Sequence, residues 1–342
     1  MTREHRALRS QILADYATRF AGVPVKTIGR RLHKDHPELW VSVKSGYDAI
    51  AGKLGLIGKR SRQSKGNAKF WRKPSKPGYA PPPPSIAEDY VPFEIGPGRV
   101  LVLSDIHVPY HDSAALEAAL AHGDTYQPDV VLLNGDTMDF YSPSRHETNP
   151  KKRDLEGELK AGFELLKHVR TRFPKSRMVF KLGNHEERWD SYLFTSAALL
   201  VGIPHVDLAF VLTNRIEDSQ TVERIEGIEF VGERRMISAG KLPILHGHEF
   251  PKGLASPVNP ARGAFMRGME CSLSGHLHRT SEHTEPTMLG RFITTWSTGC
   301  LCDLHPLYAR VNKWNHGFAT IDVAKSGDFS VNNFRIRHGK VL

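Results

Sequence analysis

Five short runs rich in metal-binding side chains follow one another between residues 105 and 278. They are Asp105-Ile106-His107, Gly135-Asp136, Gly183-Asn184-His185-Glu186, His246-Gly247-His248 and Gly275-His276-Leu277-His278. Carboxylate, imidazole and amide groups are ligands that divalent metals accept in proteins. A site that gathers such groups from several loops is what metal-assisted hydrolysis requires. The order of the runs therefore predicts a hydrolytic metal centre.

Two of the runs carry paired ligands on alternate residues. Asp105 and His107 flank one residue after an apolar stretch, and His276 and His278 are spaced in the same way. In an extended segment alternate side chains project to one side of the backbone, so each pair can serve one ion or two. Each run alone has a bland explanation, such as a turn or a buried histidine. Their joint order makes a metal site the favoured interpretation.

The middle runs supply ligands that two ions could share. Asp136 follows Gly135, which lets the chain approach closely, and its two carboxylate oxygens can each bind a different ion. Asn184 offers a neutral carbonyl oxygen, which keeps the negative charge of the site low enough for a phosphate to approach. Asp136 is therefore predicted to bridge two ions, and His185 is left free for another role.

Together the runs resemble the calcineurin-like, two-metal metallophosphoesterase superfamily, whose pattern is D-x-H, G-D, G-N-H-[DE], H and G-H-x-H. The resemblance covers residues 98–340, and the whole chain is similar to members encoded by bacteriophages. The ligands it implies are Asp105, His107 and His278 for one metal ion, Asn184, His246 and His276 for the second, and Asp136 as the bridge. A dinuclear site is expected to result.

The resemblance also implies a mechanism. A metal-activated hydroxide attacks phosphorus in line, without a covalent phosphoenzyme, and Asp136 and His185 are the catalytic residues. His185 is expected to contact the phosphate and to protonate the leaving oxygen. Manganese is the first choice of metal, with iron, zinc or nickel as alternatives, because mixed imidazole and carboxylate ligands suit such ions. His248, Asp139 and His111 are expected near the site without binding metal.

Neighbouring residues disfavour two subfamilies. Protein Ser/Thr phosphatases carry an arginine four residues after the bridging aspartate and another just before G-N-H-E, where this chain has Phe140 and Leu182. Purple acid phosphatases have a tyrosine where this chain has Asp139. Cys300 and Cys302 are interpreted as ordinary loop or strand residues, because two thiols cannot close a zinc site without further ligands.

Strands and helices are predicted to alternate through the region that contains the first three runs. Strands are predicted at 99–104, 129–134 and 177–182, and helices at 112–122, 153–172 and 186–200. Later strands are predicted near 228–232, 242–247, 271–275, 291–296, 317–322 and 329–336. This pattern predicts an α/β fold with a mixed sheet covered by helices. The family resemblance implies a four-layer αββα sandwich of two mixed sheets.

The composition places the chain in an aqueous, reducing compartment. No apolar run approaches the roughly 18 residues that suggest a membrane span, and no apolar stretch follows the charged N-terminus as in a secretory signal. Three cysteines, an odd number, argue against a disulfide framework. The expected location is the cytoplasm of a bacterium or of a phage-infected host, with no membrane partner.

Charge is concentrated at the N-terminus. Residues 1–80 hold 18 basic and 5 acidic residues, a local charge of +13, whereas the whole chain has +10, which leaves −3 for the rest. Such asymmetry indicates a segment that binds a polyanion. A solvated basic arm that only aids solubility is the alternative.

Three short helices with basic outer faces are predicted in this segment. The first covers 7–20, the second starts behind Thr27 as its cap, and the third starts behind Ser42. They are similar to a helix-turn-helix module. The residues predicted to contact nucleic acid are Arg30, Arg31, Lys34, Lys44, Lys53, Lys59, Arg60 and Arg62.

The chain is thus predicted to have a basic all-α module over 1–58, a basic and then proline-rich linker over 59–96, and a phosphoesterase domain over 97–342. The favoured function is a metal-dependent phosphodiesterase or nuclease that acts on DNA or RNA. One alternative is a nucleotide or small-molecule phosphomonoesterase tethered to nucleic acid, and another is a catalytically silent DNA-binding protein.

Overall fold

The computed structural model describes residues 3–56, 90–146, 149–216, 222–232, 234–250 and 258–342. The chain divides into two compact units, Met1–Ala87 and Glu88–Leu342. Three of the predicted nucleic-acid contacts, Lys59, Arg60 and Arg62, and the linker as far as residue 89 lie outside the described residues.

The described part of the N-terminal unit, residues 3–56, contains three helices, α1 (Arg3–Arg19), α2 (Val25–Asp35) and α3 (Val43–Lys53). Their shared apolar core consists of Tyr16, Ile28, Leu32, Leu39, Trp40 and Ile50. Ser42 caps α3 as predicted, because its hydroxyl accepts the N–H of Ser45 at 3.1 Å. Thr27 is not a cap. Helix α2 begins earlier, and the N–H of Thr27 already donates to the carbonyl of Pro24 at 2.8 Å.

Helices α2 and α3 touch through their backbones where two glycines meet. A Cβ at Gly29 would lie 2.6 Å from the Cα of Tyr47, and one at Gly46 would strike the carbonyl oxygen of Gly29. Only glycine leaves room for this approach. The buried face of α3 therefore centres on Gly46 and Ile50, whereas Val43 and Tyr47 are exposed.

Two large mixed β-sheets form the second unit. The strands are β1 (Phe93–Ile95), β2 (Gly98–Leu103), β3 (Val130–Asn134), β4 (Arg177–Lys181), β5 (Asn214–Ile216), β6 (Val222–Arg224), β7 (Ile228–Val231), β8 (Ile237–Ala239), β9 (Leu242–Leu245), β10 (Ser272–Ser274), β11 (Ser281–Pro286), β12 (Phe292–Ser297), β13 (His316–Val323), β14 (Phe329–Arg337) and β15 (Lys340–Val341). One sheet has the order β15-β14-β13-β2-β3-β4-β7 and the other β1-β8-β9-β10-β12-β11, while β5 and β6 pair separately. The neighbours β2, β3 and β4 are parallel, as are β9, β10 and β12.

Helices cover the outer faces of both sheets. They are α4 (Ser113–Tyr126), α5 (Leu155–Arg172), α6 (Glu187–Ser196), α7 (Leu208–Thr213) and α8 (Pro260–Gly268). Along β2, Val100 and Val102 join the core between the sheets, and Leu101 and Leu103 join the core beneath the helices. On the other sheet, the hydroxyl of Thr295 donates to a carbonyl of α8 at 2.7 Å. These layers confirm the predicted αββα sandwich and its preceding all-α region.

The sequence pattern missed several strands, namely β1, β5, β6, β8, β11 and β15. Phe93–Ile95, which the prediction assigned to the linker, form β1, because Ile95 is fully buried and the segment pairs in parallel with β8. The bracketing Pro92 and Gly96 concealed a strand of only three residues. The linker prediction is therefore wrong at its C-terminal end.

Helix length and cysteine state can also be read directly. Among the described helices, none is long and apolar enough to cross a membrane. Cys271, Cys300 and Cys302 are all free thiols.

Candidate metal centre

The loops after five strands converge at one edge of the two sheets. Asp105 and His107 follow β2, Asp136 follows β3, Asn184 follows β4, His246 follows β9, and His276 and His278 follow β10. Carboxyl ends of parallel strands lie at the same edge of a sheet, which is why these loops meet. Two facing sheets contribute, so the ligand types come together from distant parts of the chain.

Predicted ligands form a continuous cluster of carboxylates and imidazoles. The Nε2 atom of His278 lies 3.2 Å from Oδ1 of Asp105 and 3.3 Å from Nε2 of His107. Oδ2 of Asp136 lies 3.2 Å from Nε2 of His246 and 3.9 Å from Nε2 of His107. Four groups of possible ligands have donor atoms within 4.8 Å of one another. Two consist of predicted ligands alone, Asp105, His107 and Asp136, and Asp136, His246 and His276, and the other two add Cys302 or Asp139 and His185. Asp136 belongs to both of the groups that consist of predicted ligands alone.

Left-handed backbone geometry brings these side chains together. The positive φ angles are 56° at Asp105, 53° at His107, 50° at Asp136, 67° at His276 and 54° at His278. Each such residue costs about 1–3 kcal/mol, so the surrounding structure must hold it in place. The extended segments expected from the alternate spacing are absent here, since β2 ends at Leu103 and β10 at Ser274. Tight turns gather the ligands instead.

Hydrogen bonds between the loops hold the strained backbone. The N–H of Asp105 donates to Gly135 at 3.1 Å, and the N–H of His107 donates to the carbonyl of Asp136 at 3.0 Å. The carboxylate of Asp105 accepts the N–H of His276 at 2.9 Å, which joins the two sheets across the site. Each loop is therefore positioned by the next one.

Two buried polar atoms in the cluster have no hydrogen-bond partner among the described residues. They are Nε2 of His246 and Oδ1 of Asn184. Nδ1 of His246 donates to the carbonyl of Asn134 at 2.9 Å, which leaves the Nε2 lone pair facing the cluster. Burying such atoms unpaired is costly, and a cation would satisfy both. The residues present therefore fit a pair of divalent metal ions.

The charges of the cluster strongly perturb one another. Burial would raise the pKa of Asp136, but the imidazoles of His246 and His185 hold it well below its usual range. Burial would lower the pKa values of His246 and His278, yet Asp136 and Asp105 raise them to about 10. Two buried carboxylates thus create the negative potential that attracts cations.

Glu186, the last residue of the G-N-H-E run, fastens two ligand loops together. Its side chain is fully buried, and its carboxylate accepts the N–H of Gly183 at 2.7 Å, of Asp136 at 2.9 Å and of Met138 at 2.8 Å. Burial and the nearby Asp136 raise its pKa. Three backbone donors on one carboxylate fix where Asp136 stands relative to Asn184.

A buried ion pair supports the loop of His246. Nζ of Lys181 lies 2.9 Å from the carboxylate of Glu249, which also accepts the backbone N–H groups of His246 and Gly247. Burial would raise the pKa of Glu249, but Lys181 holds it at about 2. Sequence reasoning missed this pair, although a lysine at the end of an apolar strand was a usable signal.

His185 stands at the edge of the cluster with its proton position fixed. Its Nδ1 donates to the carbonyl of Asp139 at 2.7 Å, so Nε2 is the nitrogen that faces the cluster, 3.8 Å from Oδ2 of Asp136. Arg188 donates to the same carbonyl at 2.9 Å and approaches Nε2 of His185 to 2.9 Å. Sequence reasoning missed Arg188, which lies in the first turn of α6, three residues after His185.

The predicted neighbours of the ligands occupy different positions. Asp139 accepts Nδ1–H of His107 at 3.0 Å, which orients that imidazole. His248 donates from Nε2 to Glu187 at 2.9 Å, and His111 lies further out, where its backbone bridges Cys302. Cys302, interpreted from sequence as an ordinary residue, has its Sγ 3.8 Å from Nδ1 of His278.

The predicted nucleic-acid contacts that the structure describes lie on the surface of the N-terminal unit. Arg30, Arg31, Lys34, Lys44 and Lys53 are all exposed, the first three on α2 and the others on α3. Arg31 forms an ion pair with Asp35 one helical turn away, at 3.4 Å.

Comparison with known proteins identifies the family to which the chain belongs. The model of the calcineurin-like phosphoesterases matches residues 98–279, more than half of the chain. The Gene 54 protein of Mycobacterium phage L5 is 28% identical over 241 residues, which cover 66% of this chain and 89% of that protein. The Gene 54 protein of Mycobacterium phage D29 is 37% identical over 111 residues, or 30% of this chain and 42% of that one.

Solved structures overlap with most of the chain at low similarity. A single mutant of Vps29 from Entamoeba histolytica has 14% identity and a TM-score of 0.36, and covers 71% of this chain and 96% of its own. A dimetal phosphatase from Danio rerio has 13% identity and a TM-score of 0.34, and covers 71% and 97%. On its family match, the chain belongs to the calcineurin-like phosphoesterases and is a metal-dependent hydrolase of phosphate esters.

Proposed function

We propose that this phosphoesterase is a phosphodiesterase or nuclease that acts on DNA or RNA in a bacterial or phage-infected cytoplasm. The observation that carries the proposal is the segregation of charge, +13 over residues 1–80 against −3 over the remainder. Six basic side chains of the described part of this segment, the five predicted contacts and Lys26, lie exposed on α2 and α3. A basic surface attached to a phosphoesterase recruits a polymer of phosphates.

The chain's own residues would divide the chemistry between them. Asp105, His107 and His278 would hold one metal ion, Asn184, His246 and His276 the other, and Asp136 both. Bound ions, with manganese the first choice and iron, zinc or nickel the alternatives, supply an activated water and neutralise charge on the phosphate. Arg188 donates to a phosphate oxygen, as guanidinium groups do. His185 contacts the phosphate through Nε2, the atom placed to hand a proton to the leaving oxygen.

The direct test is cleavage of end-labelled single-stranded DNA, double-stranded DNA and RNA by manganese-loaded protein. Asp136→Asn is the control for a contaminating nuclease. Cleavage by the wild type that is lost in Asp136→Asn is the expected result. Intact polymer, together with hydrolysis of a small aryl phosphate, would contradict the nuclease proposal and favour the tethered phosphomonoesterase.

The role of the basic surface is tested by neutralising it. We expect a variant with Arg30, Lys34, Lys44 and Lys53 changed to Gln to lose polymer cleavage at moderate salt while hydrolysing aryl phosphate at the wild-type rate. The logarithmic salt dependence of DNA binding should fall by roughly 0.9 for each phosphate contact removed. The matched control changes four exposed lysines of the catalytic unit, Lys151, Lys175, Lys325 and Lys340, to Gln. Equal salt dependence of DNA binding in both variants would contradict the proposal that the basic surface recruits the polymer.

A further inference from the structure

A large cavity lies beside the second group of predicted ligands. It has a volume of about 1200 Å³, and its wall includes Asn184 and His276. Pockets for drug-sized ligands measure about 300–1,000 Å³, so this space exceeds what a single phosphate group needs. The cavity therefore has room for more of a substrate than its reacting phosphate.

Three of the four arginines on the cavity wall have no acidic partner among the described residues. They are Arg145, Arg188 and Arg267, whereas the fourth, Arg234, pairs with Glu187. The cavity's acidic side chains are largely committed elsewhere. The carboxylate of Glu187 accepts hydrogen bonds from two guanidinium nitrogens of Arg234 at 2.8 and 2.9 Å. The carboxylate of Glu249 is paired with the buried Lys181. The remaining carboxylate, Asp190, has a pKa raised by burial and by neighbouring acids.

Arg267 is held against an aromatic ring and has no acidic partner among the described residues. Its guanidinium lies over the ring of Phe250, 5.6 Å from the centroid, and its Nε is buried without a hydrogen-bond partner among the described residues. Stacking on an aromatic ring holds the planar group and leaves its edge available for two-point contact with a phosphate. Arg188, by contrast, already contacts His185 and stands at the reacting centre.

We infer that Arg267, stacked on Phe250, binds a second phosphate group of the substrate, distinct from the one that is hydrolysed. The inference rests on the proposed function of the same site and narrows it to substrates with at least two phosphates. Such a phosphate could belong to the next nucleotide of a chain or to the polyphosphate of a single nucleotide. Both sources present the same chemistry to the guanidinium.

Calorimetric binding of small nucleotides tests the inference. Manganese-loaded wild type, Arg267→Gln and Arg262→Gln are titrated with thymidine 5′-phosphate, thymidine 3′,5′-bisphosphate and thymidine 5′-diphosphate. Arg262 lies on the same helix, is exposed and does not line the cavity, so it is the matched control. We expect the second phosphate to tighten wild-type binding about tenfold, which is about 1.4 kcal/mol. Arg267→Gln should abolish that gain and Arg262→Gln should keep it.

The outcomes separate the two sources and the two proposals. A gain seen only with the bisphosphate identifies a nucleotide chain, and a gain seen only with the diphosphate identifies a nucleoside polyphosphate. Equal affinity of wild type for all three ligands, or a gain that survives in Arg267→Gln, overturns the inference. Arg267→Lys, which keeps the charge but not the fork, should show a reduced gain. If DNA stays uncleaved while the Arg267-dependent gain is present, the nuclease proposal fails and the second-phosphate site stands.

Discussion

The two units of this chain use charged side chains in opposite ways. In the phosphoesterase unit Lys181 and Glu186 are fully buried, at 0% exposure, and Asp136 is at 1%. Each is held by several specific partners. In the N-terminal unit, basic residues such as Arg30 and Lys44 are exposed and the core beneath them is apolar.

This difference predicts how each unit responds to substitution. Removing one partner from a buried charged group leaves the other uncompensated, so single changes in the phosphoesterase unit should have large effects. Exposed charges are screened by salt and act through their sum. In the N-terminal unit, the sensitive positions should be those where helices touch.

Asp136→Asn should have the largest effect. The change removes the carboxylate common to both ligand groups, and we expect turnover of aryl phosphate to fall by about a thousandfold or more. Metal content, measured on the purified protein by elemental analysis, should fall as well. Asp328→Asn, which alters an exposed carboxylate paired with Lys241, is the matched control and should retain both. Wild-type metal content in Asp136→Asn would show that the two ligand groups are independent of this bridge.

Glu186→Gln should have the next largest effect, and on stability. Its carboxylate accepts three backbone N–H groups, and an amide would turn a donor toward one of them. Hydrogen bonds to charged groups contribute about 1.5–3 kcal/mol each, so we expect a loss of about 2–4 kcal/mol in the free energy of unfolding. Denaturant titration of the full chain measures it.

The comparison residue for this change is Glu164, an exposed carboxylate on α5 that pairs with Arg215. Surface ion pairs contribute about 0–1 kcal/mol, so Glu164→Gln should be nearly neutral. Equal losses in the two variants would remove the distinction between buried and exposed charge on which the comparison rests.

Much of the fold could be predicted because its signals are local. Strands such as β2 and β3 are apolar runs bounded by turn residues, and the cap at Ser42 obeys a short-range rule. Strand β1 escaped because three residues carry too little periodicity, and its burial comes from a partner strand more than 140 residues away. Strand β1 therefore forms because of tertiary packing and not because of its local sequence.

The candidate site, like the fold, has features that the sequence predicted and features that it did not. The ligand types and their order were visible in sequence, whereas the left-handed turns at Asp105 and His276 were not, since the loops impose them on each other. Arg188 and Glu249 contribute through partners on other elements. A motif lists the groups that do the chemistry, and the fold decides which others hold them.

The glycine contact between α2 and α3 offers a test within the N-terminal unit. Gly46→Ala places a Cβ against the carbonyl oxygen of Gly29, and overpacking of this kind costs about 1–3 kcal/mol. Gly52→Ala, on the same helix with nothing within 4 Å, should instead stabilise the unit by about 0.5–1 kcal/mol. Circular dichroism separates the two variants, because Gly46→Ala should lose its helical signal at a lower temperature than Gly52→Ala. Opposite signs are required, and aryl phosphate hydrolysis should be unchanged in both.

Ser42→Ala should have the smallest effect and sharpens the comparison most. The hydroxyl of Ser42 and that of Ser45 satisfy each other's backbone N–H groups, and losing such a cap costs about 0.5–2 kcal/mol. Lys44 and Lys53 lie on α3, the helix that this cap begins. We therefore expect DNA affinity to weaken as α3 unfolds at raised temperature, although no charge on the basic surface is altered. Ser42→Asp, which restores a capping acceptor, should recover the helix while adding a negative charge to the basic surface. If Ser42→Asp restores helix stability yet binds DNA less well than wild type, the surface acts through its summed charge. If it restores both fully, the order of the helix alone governs binding.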